Sequence, residues 1–92
     1  MGFEQVTASS SVKTQTSLTI PANATMCEVR ATDQPIRYTM DGTTPTQTSG
    51  MTLELFDPPK LFQIMDLRAI KFTRGSGSDA TLNLHYVAGR DV

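Results

Sequence analysis

Pro35-Ile36-Arg37-Tyr38-Thr39-Met40-Asp41-Gly42-Thr43-Thr44-Pro45-Thr46 is the stretch on which the fold turns. Ile36, Tyr38 and Met40 fall on one face of an extended segment and Arg37, Thr39 and Asp41 on the other, the period-two pattern of a half-buried strand. The strand runs into a dense turn signal. Gly42 supplies a residue free to take positive φ, the Asp41 carboxylate can accept N–H bonds from Thr43 or Thr44, and Pro45 holds Thr44 extended. Asp41, Gly42, Thr44 and Pro45 are therefore read as a structural turn. Replacing Asp41 is expected to lower stability without removing an activity.

The same alternation recurs outward from this strand. Towards the N-terminus, Thr25 to Thr32 places Cys27, Val29 and Ala31 inward and Met26, Glu28 and Arg30 outward, and the turn Asp33-Gln34-Pro35 predicts a hairpin with the Ile36 strand. Val12 to Pro21 reads as a strand with Leu18 and Ile20 on one face, ended by proline. Residues 1–11 carry a weak alternation in Phe3 and Val6 and then a run of small polar residues, read as an edge strand or a flexible or partner-pairing arm. Towards the C-terminus, Met51, Leu53 and Leu55 are expected inward. The Phe56-Asp57-Pro58-Pro59-Lys60 stretch breaks that strand, and Leu61, Phe62, Ile64 and Met65 form an apolar patch of undetermined face. Ile70 and Phe72 share a face, Gly75 to Asp79 is a turn, and Leu82, Leu84 and Tyr86 oppose Asn83, His85 and Val87 in the last strand. The tail from Ala88 carries no packing signal.

About seven short strands at spacings of about 8–12 residues leave no room for crossover helices. The expected fold is an all-β, small antiparallel β-sandwich, Ig-like or jelly-roll-like, with a small β-barrel as the alternative and almost no helix. Its core is expected to include Leu18, Ile20, Cys27, Val29, Ile36, Tyr38, Met40, Leu53, Leu55, Ile70, Phe72, Leu82 and Leu84. The 92 residues make one domain, which on folding buries roughly 60–65% of the surface its unfolded chain exposes. A domain of this size has little stability to spare and gains from docking.

Eight basic and nine acidic residues are interspersed along the chain for a net charge of −1. No basic face for a nucleic acid is expected. No apolar run approaches the roughly 18 residues of a membrane span. The start lacks the charged and apolar regions of a secretory signal, so synthesis in a cytoplasm is expected. The single Cys27 leaves no pair for a disulfide or a zinc site and reads as a buried apolar residue. His85 is the only histidine, which excludes a multi-histidine metal site. The carboxylates sit next to turn formers, and no Gly-x-Ser-x-Gly elbow occurs, so no catalytic, cofactor-binding or metal-binding residues are expected.

Tyr38-Thr39-Met40-Asp41-Gly42-Thr43-Thr44-Pro45-Thr46 resembles the Tyr-Thr-x-Asp-Gly-x-x-Pro-Thr segment of the chitobiase-type C-terminal β-sandwich modules of chitin-degrading glycosidases. A longer resemblance follows the order Ile20–Thr25, Gln34–Tyr38, Asp41–Thr46, Gly50-Met51, Leu67–Phe72 and Ala80–Tyr86. Taken together these segments look like small virion structural proteins of tailed bacteriophages. The Phe56–Lys60 turn and the polar N-terminus depart from that pattern. The resemblance implies a non-enzymatic virion component on the capsid surface: a decoration or cement protein whose partners are the major capsid protein and copies of itself. A neck or tail connector, or a carbohydrate-binding module directed at a host-surface glycan, are the alternatives it leaves open. The candidate partner contacts are Phe3, Glu4 and Val6 in the N-terminal segment and Thr43, Thr46 and Thr48 in the loop after the organising strand.

Overall fold

The computed structural model describes residues 2–55 and 57–87. Phe56, expected to end a strand with the prolines after it, and the tail from residue 88 lie outside the described residues. Within them run β1 (Gly2–Ala8), β2 (Lys13–Thr14), β3 (Met26–Ala31), β4 (Ile36–Thr39), β5 (Met51–Leu53), β6 (Lys60–Gln63), α1 (Ile64–Leu67), β7 (Lys71–Arg74) and β8 (Ala80–Val87). They form two four-stranded antiparallel sheets, one in the order β1-β8-β3-β6 and the other β2-β7-β4-β5. Neither sheet closes, so the fold is the expected sandwich and not the barrel.

Each sheet turns one face inward. Along β8, Ala80, Leu82, Leu84 and Tyr86 are buried while the residues between them face outward. Flanked by β1 and β3, β8 holds the centre of the first sheet. Cys27, Val29 and Ala31 meet it from β3, and Ile36, Tyr38, Leu53, Ile70 and Phe72 meet it from the other layer. The rings of Tyr38 and Phe62 bridge the two layers, tilted at 59° with centroids 5.5 Å apart, a favourable aromatic arrangement.

Several expectations need correction. β3 and β4 do not form a hairpin, because they belong to opposite sheets. The chain turns a corner at Asp33-Gln34-Pro35, and neighbours hold it there. The Asp33 carboxylate accepts the Thr81 N–H at 2.8 Å and the Thr81 hydroxyl at 3.0 Å. The Pro35 carbonyl accepts the Gly75 N–H at 2.8 Å. Among the described residues, only β4 and β5 are consecutive strands that pair with each other. The stretch Val12 to Pro21 is not one strand either. After β2 it winds into a 3-10 turn, Gln15–Ser17, where the Thr14 hydroxyl accepts the Thr16 N–H and lies 2.8 Å from the Thr16 hydroxyl. Short hydroxyl side chains that bond to nearby backbone compete with a ladder in this way. Leu18 nevertheless reaches the core, and Ile20 and Met40 pack against it while remaining partly exposed.

Met51 is exposed rather than inward, since β5 begins there at the end of its sheet, and Leu55 lies in the turn beyond β5, outside the core. The apolar patch of undetermined face divides: Ile64 and Leu67, one turn apart on α1, are buried, while Leu61 and Met65 are exposed. The Ile64 N–H donates to the Thr25 carbonyl at 3.0 Å, which seats this turn against the start of β3.

Candidate functional site

Two regions carry the candidate residues. The first is the loop after β4. Gly42 has φ 91° and Asp41 Oδ1 accepts the Thr43 hydroxyl at 2.6 Å and the Thr43 N–H at 3.1 Å. These two donors, the hydroxyl foremost, hold the Asp41 carboxyl below its ordinary range. The Thr39 hydroxyl donates to the Thr43 carbonyl at 2.6 Å, and Lys71 Nζ donates to the Gly42 carbonyl at 3.0 Å. Thr46 and Ser49 exchange backbone bonds at 2.9 and 3.2 Å, and the Thr46 hydroxyl accepts the Thr48 N–H at 3.3 Å. Thr44 is exposed, whereas Pro45 is buried beneath Gly50, whose φ is 120°. Thr43, Thr46 and Thr48 therefore sit exposed on a loop whose polar groups are largely tied to one another.

The second region is β1 and the outer face of its sheet. β1 is an edge strand whose whole length pairs with β8, Gly2 opposite Tyr86 through to Ala8 opposite Ala80. Of the three candidate contacts here, only Phe3 is strongly exposed, at 62%. Glu4 is taken up inside the chain: its Oε2 accepts the Tyr86 hydroxyl at 2.6 Å and the Thr19 N–H at 2.7 Å. Val6 packs against the core. Burial, reinforced by the Glu4 carboxylate, lifts the Tyr86 hydroxyl above the usual tyrosine range. Beside it, burial pushes the Cys27 thiol up to about 12, consistent with a packed residue rather than a nucleophile.

Lys13 Nζ donates to the Thr7 carbonyl, so that carbonyl faces away from β8. In an antiparallel ladder the outward-facing backbone groups recur at every second residue. The N–H and C=O groups of Phe3 and Gln5 accordingly point along the open side of β1. A lysine over one end of an edge is a common protection against unwanted pairing, and here it leaves the Phe3 end clear.

Across the outer face, register lines up Phe3, His85, Glu28 and Leu61 in one row and Gln5, Asn83 and Arg30 in the next. His85 Nδ1 lies 3.4 Å from Glu28 Oε1, and Leu61 is 56% exposed at the far side. These rows join residues up to 82 positions apart in sequence (Phe3 to His85); no local signal in the chain announces them. In the other sheet, Arg74 pairs with Asp79 at 2.9 Å.

Compared with known protein families, with curated proteins and with solved structures, the chain matches none of them.

Proposed function

We propose that this protein is a non-enzymatic structural component of a tailed-bacteriophage head, a decoration or cement protein that strengthens the shell by bridging capsid subunits. Its partners in this reading are the major capsid protein and copies of itself, and its place is the outer capsid surface. The ordered sequence resemblance motivates the class. The observation that carries the mechanism is the open edge of β1, where Phe3 and Gln5 present main-chain donors and acceptors next to an exposed aromatic ring. A neighbour's extended segment can add there as a fifth strand, with main-chain bonds supplying affinity and the Phe3 ring supplying apolar contact.

The size of the protein suits bridging. A standard contact covers roughly 800 Å² of each partner, about a sixth of the 5070 Å² surface of this chain. Two such contacts, one at β1 and one at the Thr43 to Ser49 loop, leave most of the surface in solvent. Reconstruction of particles with and without the protein tests the proposal. Copies distributed over the head, and heads that become sensitive to heat and osmotic shock when it is deleted, are the expected results. Density confined to one ring at the portal vertex, or deleted heads as robust as complete ones, would reject it.

A further inference from the structure

Between β1 and β6, the outer face of the first sheet forms a shallow depression of about 250 Å³. Phe3 stands on one side and Pro59 on the other, with His85, Asn83, Glu28 and Arg30 forming the floor. Three interstrand steps of about 4.8 Å separate the two apolar walls, a span suited to one or two small rings. At that volume the depression lies below the usual range of about 300–1,000 Å³ for drug-sized ligands.

The floor is chemically specific. Asn83 is fixed at both ends of its amide: Oδ1 accepts from Gln5 Nε2 at 2.8 Å and Nδ2 donates to the Thr32 hydroxyl at 3.0 Å. The Asn83 amide keeps one N–H and one lone pair unused, so the site offers a positioned polar group whose side chain is already ordered. Glu28, the acidic residue of the floor, is turned to His85 at 3.4 Å. Among the described residues the Arg30 guanidinium forms neither an ion pair nor a hydrogen bond. Its planar fork, with no partner, is shaped to take a carboxylate through two parallel bonds.

The depression thus combines an exposed aromatic face, a fixed amide side chain and an unpaired guanidinium. A ligand that answers all three has an apolar ring face, hydroxyl groups on the ring edge and a carboxylate. We propose that the outer face of the β1-β8-β3-β6 sheet is a binding site for a carboxylate-bearing sugar, with Arg30 holding the carboxylate, Phe3 stacking on the ring, and Asn83, braced by Gln5, bonding its hydroxyls. Strand addition at the β1 edge would extend the sheet sideways and leave the Arg30 and Asn83 floor open, and binding to the isolated protein does not depend on the capsid reading.

Titration of the isolated, isotope-labelled protein with sodium glucuronate, with N-acetylneuraminate, with glucose and with acetate, followed by amide chemical shifts, tests it. Saturable shifts centred on Phe3, Arg30, Asn83 and His85 with either sugar acid, at least about tenfold stronger than with glucose or acetate and weakened by added salt, are expected. Arg30→Gln and Phe3→Ser should each reduce binding about tenfold while leaving the thermal midpoint within a few degrees, since both side chains are exposed. Acetate binding as tightly as the sugar acids, shifts scattered over the surface, or no loss in Arg30→Gln would overturn the assignment.

Discussion

Asp33→Ala should loosen the corner at which the chain leaves one sheet for the other. The Asp33 carboxylate accepts two bonds from Thr81, at 2.8 Å from the backbone and 3.0 Å from the hydroxyl. Bonds to a charged acceptor contribute roughly 1.5–3 kcal/mol each where water is excluded. Asp33 is exposed, and solvent screening reduces the pair to about 1 kcal/mol in total. For a domain of this length that corresponds to a fall in Tm of about 4–8 °C. The bonds from Thr81, its backbone N–H foremost, hold the Asp33 carboxyl below its ordinary range. A depressed carboxyl contributes its stability in full above the unfolded pKa of about 3.9, and the contribution fades as pH falls through the folded value. Thermal unfolding of the wild type and Asp33→Ala followed by circular dichroism should therefore show the full gap at neutral pH and a narrowing gap below about pH 4. A variant that melts with the wild type at neutral pH, or a gap of constant size down to about pH 2, would refute the corner's role.

Two further outcomes follow from the interior and the turns. With its thiol pushed up to about 12, Cys27 should resist thiol reagents in the folded protein near neutral pH and react fully once denaturant is added; rapid native-state labelling would contradict the packing described. Gly50→Ala places a Cβ 3.1 Å from the Tyr38 carbonyl oxygen at a φ of 120°, whereas Gly77→Ala meets open space. Denaturant titration should show the first costing more than about 1 kcal/mol and the second less than about 0.5 kcal/mol.

Much of the fold is legible in the sequence because burial follows alternation. Every second residue of β3, β4 and β8 points to the core as the pattern of apolar residues requires. Which sheet each strand joins is not legible, because strands of both sheets, β3 and β8 in one and β4 in the other, bury an alternating apolar face against the same core. That is why β3 and β4, separated by an ordinary turn sequence, look like a hairpin and are not one. The Asp41-Gly42 turn is encoded within three residues and its bonds can be read locally. The threonines at 14 and 16 are harder, since Thr favours strands by propensity yet here its hydroxyls draw the backbone into a 3-10 turn. The Phe3, Arg30 and Asn83 cluster is invisible before register is known, because its members come from β1, β3 and β8.

The central place of β8 has a consequence for how the chain is made. During synthesis β1 and β3 emerge early, yet they are not neighbours in the sheet and have only β8 to join them. Until residue 87 has left the ribosome, the first layer lacks the strand that joins β1 to β3, and the core has no Ala80, Leu82, Leu84 or Tyr86. Closure of the first sheet therefore needs β8, a long-range pairing of the kind that makes β proteins slow to fold. A chain that stops before β8 would leave β1 without a partner and β3 open along one edge, so truncation ahead of Ala80 should expose the first layer to aggregation and proteolysis.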